Sequence, residues 1–379
     1  MPFSFLLAPM AELSHRALRE LMESFDTSGA DEYFTEMISA GALVSGGPFE
    51  HWYADNGPRP EKLVYQVVGG DAGQLERALV LLDRKECLGI DINMGCSAPA
   101  ITRTGAGVRW MADIDRAGAL IHRLRPLTKR RLSVKLRTGL SDDFEYLVRF
   151  CRRLEEEGLD FITLHPRTAK EKFKRKARWN YVSALKKELR IPLAGNGDIS
   201  SAEEMLSRSA ECDAVMIGRL AIRQPWIFAD LSRRAAPQQE ICRRGAGGRS
   251  AAGRDAAGLD ITGLGVPGPG VLSQDPPRPE VPACEVPTGD RPVREVPARE
   301  LSGALVEETG LRFLELLSRY QPPEFHLSRA RRFFGYFCDN LKWGTHVKNL
   351  LNRETDLSGI EKAWKAYFAG SRESADSVL

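Results

Sequence analysis

Along the first 235 residues, short apolar runs alternate with longer stretches in which apolar residues recur every three or four positions. The runs at 5–8, 33–36, 63–67, 90–93, 132–136, 161–165, 192–195 and 214–217 read as buried strands. The amphipathic stretches at 14–24, 72–83, 115–124, 143–157, 180–189 and 201–207 read as helices between them. Strands joined by helix-length crossovers pair in parallel, because a tight turn cannot bring two parallel strands together. Eight such strands predict a (β/α)8 TIM barrel, an α/β fold, near the lower end of its usual length. A doubly wound open sheet is the alternative, but no Gly-x-Gly-x-x-Gly turn follows the first strand.

From residue 303 the helical period takes over. Leu305, Leu311, Phe313, Leu314, Leu316 and Leu317 mark one apolar face, and Phe333, Phe334, Tyr336, Phe337 and Leu341 a second. Val347, Leu350 and Leu351, then Ile360, Trp364 and Phe368, complete a small C-terminal bundle of three or four helices. The segment 238–300 separates the two patterns: it has no aromatic residue, nine of the chain's 22 prolines and ten of its 34 glycines. Glu-Val-Pro recurs there at 280–282, 285–287 and 295–297. Such a stretch buries too little apolar surface to offset its ordering entropy, so it reads as a disordered insertion or linker. The expected organisation is a barrel over 1–235, a Pro/Gly-rich linker over 236–302 and a helical domain over 303–379.

Composition narrows the class. The chain is 42% hydrophobic and 28% charged, with a net charge of +3, so nucleic-acid binding would need local patches. The mean hydropathy is −0.31 and no apolar run nears the ~18 residues of a membrane span. The opening residues lack the basic start of a signal peptide. The seven cysteines are scattered without a Cys-x-x-Cys pair, and the six histidines form no His-x-x-x-His pattern. The expectation is a cytoplasmic, monomeric enzyme without a metal site.

In a barrel, functional side chains sit at the C-terminal ends of the strands. These ends carry Pro9-Met10-Ala11, Glu36-Met37, Gln66, Asn93-Met94-Gly95-Cys96, Lys135-Leu136-Arg137, His165-Pro166-Arg167, Asn196-Gly197-Asp198 and Gly218-Arg219. The loops after strands seven and eight commonly bind phosphate, and there Gly197 and Gly218 admit close backbone approach while Arg219 adds a cation. Lys135 ends an apolar strand, and a desolvated ammonium needs a partner; the flavin edge that gains negative charge on reduction suits it. Gln66 offers an amide donor and acceptor to the pyrimidine edge of such a ring. Cys96 lies on a rim loop, as nucleophile or proton donor.

At these residues the chain resembles the tRNA-dihydrouridine synthases, a flavin enzyme family. The resemblance rests on Ala8-Pro9-Met10-Ala11, Thr35-Glu36-Met37, Gln66-Val67-Val68-Gly69, Asp91-Ile92-Asn93-Met94-Gly95-Cys96 and Val134-Lys135-Leu136-Arg137-Thr138-Gly139. It continues in Leu164-His165-Pro166-Arg167-Thr168, Gly195-Asn196-Gly197-Asp198-Ile199 and Asp213-Ala214-Val215-Met216-Ile217-Gly218-Arg219. It implies FMN on the rim, with Pro9, Met10 and Ala11 under the ring and Gln66 and Lys135 on its polar edge. Asn196, Gly197, Asp198, Gly218 and Arg219 would hold the phosphate end, with His165 close by. It also implies NADPH (or NADH) as reductant, a hydride to C6 of a tRNA uracil, and a proton from Cys96 to C5. Asn93 and Arg137 or Arg167 would hold the uracil. Ser97 and Ala100 stand where the family usually has proline and lysine, and Arg109 and Trp110 where small and aliphatic residues are usual, so an altered cysteine loop is expected.

Two basic patches point to RNA. Arg167, Lys170, Lys172, Lys174, Arg175, Lys176 and Arg178 face Glu171 alone between 164 and 178. Arg329, Arg331, Arg332, Lys342, Lys348 and Arg353 face Asp339 alone between 326 and 353. Phosphates select clustered cations, so Lys172, Lys174, Arg175, Lys176, Arg178, Arg329, Arg331 and Arg332 are expected tRNA contacts. The interleaved Phe333, Phe334, Tyr336 and Trp343 read as core. A flavin barrel reducing a small pyrimidine or enone is the competing reading, though it gives the basic tail no purpose. A catalytically impaired RNA-binding relative is the third.

Overall fold

The computed structural model describes residues 3–25, 29–172, 174–233 and 301–371. The expected linker lies outside these residues except for positions 301 and 302. Eight parallel strands close on themselves: β1 (Ser4–Leu7), β2 (Glu32–Phe34), β3 (Leu63–Val68), β4 (Gly89–Met94), β5 (Arg131–Gly139), β6 (Phe161–Thr168), β7 (Leu193–Asn196) and β8 (Ala214–Ile217). β1 pairs with both β2 and β8, and β2 pairs with β3, which shuts the barrel. A two-residue strand, Ile38–Ser39, adds to the C-terminal end of β3.

The principal crossover helices are α1 (Arg16–Glu23), α2 (Ala72–Asp83), α3 (Ile114–Leu124), α4 (Phe144–Glu156), α5 (Trp179–Glu188), α6 (Ala202–Ser207) and α7 (Arg219–Arg223). Four of them start at a side chain that accepts from the third helical N–H: Asp71 from Gln74, Asp113 from Arg116, Asp143 from Tyr146 and Ser201 from Glu204. Between strands and helices lies the main apolar layer, which includes Leu18, Leu79, Ile121, Phe150 and Val182.

The period of two along each strand decides what fills the barrel. Leu6, Phe34, Val64, Phe161, Ala194 and Met216 form an apolar cluster inside. Gln66, Asp91 and Ser133 align in register across β3, β4 and β5, and Asn93 aligns with Lys135 one step nearer the rim. β5 and β6 each run three residues past the apolar pattern, to Gly139 and Thr168. The ladder continues there because backbone pairs such as Arg137 with His165 need no apolar side chains.

The C-terminal helices α8 (Gly303–Tyr320), α9 (Pro323–Phe337), α10 (Gly344–Arg353) and α11 (Leu357–Ser371) belong to the same compact unit as the barrel. Phe313 of α8 stacks on Phe333 of α9 at 3.8 Å and approaches His15, the residue before α1, at 6.1 Å. Gly310 lets Trp364 close in: a Cβ there would stand 2.6 Å from the indole. Beside α7, Asn340 Nδ2 donates to the Arg223 carbonyl at 2.6 Å. Among the described residues no helix is long and apolar enough to cross a membrane.

Candidate active site

The C-terminal rim encloses a cavity of about 420 Å³. Its lining holds every residue expected to bind cofactor or uracil: Pro9, Met10, Ala11, Gln66, Asn93, Cys96, Lys135, Arg137, His165, Arg167, Asn196, Gly197, Asp198, Gly218 and Arg219. Met37, Met216, Arg332 and Tyr336 line it as well. The expected residues come from seven strand ends, and Arg332 and Tyr336 from helix α9, so closure of the fold, not proximity in sequence, assembles the site.

On the β3–β5 side the geometry is set by a directional chain of hydrogen bonds. Ser133 Oγ and Gln66 Nε2 donate to the two oxygens of Asp91, at 2.7 and 2.8 Å. Asn93 Nδ2 donates to Gln66 Oε1 at 2.9 Å, and Asn93 Oδ1 accepts from the backbone N–H groups of Gly95 (3.2 Å) and Cys96 (2.9 Å). A carboxylate only accepts and a backbone N–H only donates, so both amides have one possible orientation. Burial pushes the Asp91 carboxyl up to about 6. Asp91 was not expected as a site residue; the signal was a lone charge between Ile90 and Ile92 in an apolar strand.

Lys135 Nζ donates to Asn196 Oδ1 at 3.0 Å, and Asn196 Nδ2 donates to the Met216 carbonyl at 2.7 Å. Burial, then the Arg137 charge, pulls the Lys135 ammonium down to about 8. His165 is drawn down to about 2 by burial and by the cations Lys135, Arg137, Arg167 and Arg219, so it is neutral. Gly197 has φ +122°, and a Cβ there would stand 2.9 Å from the His165 ring. At Gly218 a Cβ would come within 3.1 Å of the Met10 sulfur. Both glycines keep the β7 and β8 ends open.

Several of the expected residues are bonded within the protein. Arg167 was expected to hold substrate, yet it is 3% exposed. Its Nη2 donates to both Asp198 oxygens (2.6 and 2.5 Å), its Nη1 meets His165 Nε2 (3.0 Å) and its Nε donates to the Arg175 carbonyl (2.5 Å). It braces the rim, and the Asp198 carboxylate, which also accepts from Ala177 N, is occupied in the same way. Arg137 donates to the carbonyls of Gly95, Thr168 and Lys172 and so ties the cysteine loop to the β6 loop. Arg329, expected on the RNA surface, is 2% exposed and bonded within the protein. A guanidinium so enclosed cannot meet a phosphate. Arg178 turns to Glu171, and to Asp142 at 3.1 Å, which stabilises its own loop.

Lys172, Lys174, Arg175, Lys176, Arg331 and Arg332 are exposed. Phe333 and Phe334 are core, as expected, whereas Trp343 is 63% exposed and Tyr336 faces the cavity.

Cys96 is half-buried at the cavity, while Cys87, Cys151, Cys212 and Cys338 are buried; Cys242 and Cys284 lie outside the described residues. The cysteine loop is anchored by Val108 N donating to the Cys96 carbonyl at 2.9 Å, and Gly107, at φ +61°, fits because a Cβ would meet that oxygen at 2.3 Å. The unusual Trp110 is buried; its Nε1 donates to the Gly69 carbonyl at 2.8 Å and Arg116 lies over its ring. No cluster of metal-ligating side chains occurs among the described residues.

Fold and site together define a class: a (β/α)8 barrel whose C-terminal rim presents a thiol and buried cations to one cavity. Within that class the chain belongs to the dihydrouridine synthase (Dus) family, which it matches over residues 6–246. It is 34% identical over 236 residues to a probable tRNA-dihydrouridine synthase of Aquifex aeolicus, covering 60% of this chain and 72% of that protein. To a probable tRNA-dihydrouridine synthase of Rhizobium leguminosarum it is 32% identical, covering 62% and 74%. To tRNA-dihydrouridine synthase B of Pasteurella multocida it is 28% identical, covering 59% and 67%. The family read from the motifs stands.

Proposed function

We propose that the protein reduces uridine in tRNA to 5,6-dihydrouridine, with FMN held in the rim cavity and NADPH (or NADH) as reductant. The observation that carries this reading is the convergence of Cys96, Lys135, Gln66 and the two glycine ends on one cavity. The lining suits a flavin: Met10 and Met216 offer apolar contact, Gly197 and Gly218 leave room at the β7 and β8 ends, and the buried Lys135 supplies a cation. Bound there, FMN supplies a hydride to C6 of the uracil.

The residues do the rest. Lys135 would place positive charge beside the edge of a bound flavin that gains electron density on reduction. Asp91 fixes the Gln66 amide, and through Asn93 the cysteine loop, so that Cys96 Sγ is poised beside the base. The Sγ–H proton passes to C5, which with the hydride at C6 saturates the C5–C6 bond; the thiolate then recovers a proton from water. A base reaches the cavity only after leaving its stack, and Arg332 and Tyr336 stand at the lining to meet the RNA that carries it.

The test is a purified protein incubated with NADPH and tRNA from a strain lacking dihydrouridine synthases. The expected result is a yellow protein that forms dihydrouridine. A colourless protein that binds no added FMN, or tRNA left without dihydrouridine, would overturn the reading.

A further inference from the structure

We infer that Arg329, on the C-terminal helix α9, is a positioning residue for the cofactor: through Glu36 it holds the Met10–Glu12 turn that lines the proposed flavin cavity. The inference depends on FMN occupying the rim cavity. Glu36, 3% exposed, is shared between two elements: its Oε1 accepts from the backbone N–H of Glu12 at 2.6 Å and its Oε2 pairs with Arg329 Nη2 at 3.0 Å. Arg329 is itself fixed by the side-chain oxygen of Gln321 and by the Phe325 ring, 4.6 Å from its guanidinium carbon.

The turn needs this hold. Glu12 has φ +65°, a left-handed conformation that a residue with a Cβ adopts at a cost, and its own side chain is exposed. The Glu36 bond to its N–H is an anchor that balances that cost, and the turn carries Met10 and Ala11 into the cavity. The helix approaches along one face: Arg329, Arg332 and Tyr336 fall at i, i+3 and i+7. Arg332 lies 3.9 Å from the Glu12 carboxylate, and it and Tyr336 line the cavity. Helix α9 is therefore part of the cofactor site, so removing the C-terminal helices would damage the flavin site as well as any RNA contact.

The experiment measures FMN affinity of the full-length protein by flavin fluorescence, with thermal unfolding alongside. Arg329→Met leaves Glu36 buried without its partner and is expected to weaken FMN binding at least ten-fold. The Glu36→Met/Arg329→Met double variant removes both charges and keeps the packing volume, so it should fold while showing the same weakened binding. Adding Glu12→Gly to the double variant makes the left-handed turn free of strain and should restore a several-fold part of the affinity, which a merely structural defect would not allow. Folded variants that bind FMN as tightly as the unsubstituted protein, or no recovery with Glu12→Gly, would overturn the inference. If the unsubstituted protein binds no FMN, the functional reading itself falls.

Discussion

Inside the barrel, one sector is apolar, filled by Leu6, Phe34, Val64, Phe161, Ala194, Ala214 and Met216, whereas nearer the rim across β3, β4 and β5 the filling is Gln66, Asp91, Asn93, Ser133 and Lys135. The apolar sector is held by volume and exclusion of water, and it best tolerates changes that conserve volume. The polar sector is held by direction: an acceptor-only carboxylate at one end, donor-only amides of Gly95 and Cys96 at the other, and two side-chain amides oriented between them. The first sector stabilises the barrel and the second aims it. Substitutions in the first should therefore lower stability, and in the second activity.

The sharpest division is at the end of the directed chain. Cys96→Ala should lower dihydrouridine formation by about 10²–10⁴-fold, the usual worth of a positioned proton donor, with the unfolding temperature nearly unchanged. A loss of less than ten-fold in single-turnover assays would take the proton-donor role away from Cys96. In the apolar sector Phe34→Ala should do the reverse. Phe34 is fully buried, so a loss of about 3–5 kcal/mol in urea unfolding is expected, with turnover per folded molecule little altered.

Asp91→Asn tests whether direction alone is enough. Asparagine can still accept from Gln66 and donate to Ser133, so the bonds survive while the charge goes. The folded Asp91 carboxyl titrates near 6, above its unfolded value of about 3.9. The native state therefore binds the extra proton between those values, and its stability falls as pH rises through that window. At pH 7 the ionised form costs up to about 3 kcal/mol, so Asp91→Asn should raise stability by about 1–3 kcal/mol and flatten the pH dependence between 4 and 6. Lys135 at the same time loses a nearby negative charge that supports its protonated form, so FMN affinity should fall. A variant that is less stable and binds FMN unchanged would show that this sector is only packing.

The two sectors were not equally legible. Strand positions, closure and the cavity lining followed from apolar runs and from the rule that strand ends carry function. The pairings that aim the site were hidden because burial and partners depend on which elements the fold brings together. Arg329 and Arg331 stand two places apart in the same basic stretch, yet one is enclosed against Glu36 and the other exposed. Helical geometry turns neighbours to different faces, and only the barrel's presence on one face decides which charge is spent. Asp91 and Glu36 were visible only as acidic residues in apolar surroundings; their partners come from distant parts of the chain.

The smallest effect separates exposed from spent cations on the 170–178 loop. Lys174 and Arg175 are exposed, whereas Arg178 is held by Glu171 and Asp142. If the loop meets the tRNA backbone, Lys174→Ala and Arg175→Ala should each weaken tRNA binding similarly for all tRNAs. Each should also reduce the slope of log affinity against log salt by about 1, because one fewer counterion is released. Arg178→Ala should leave that slope unchanged and instead loosen the loop, since its charge is already neutralised. Equal slopes for all three variants and the unsubstituted protein, measured by filter binding from low to moderate salt, would place the RNA path elsewhere. It would then run along Arg331 and Arg332, on the helix that reaches the cavity.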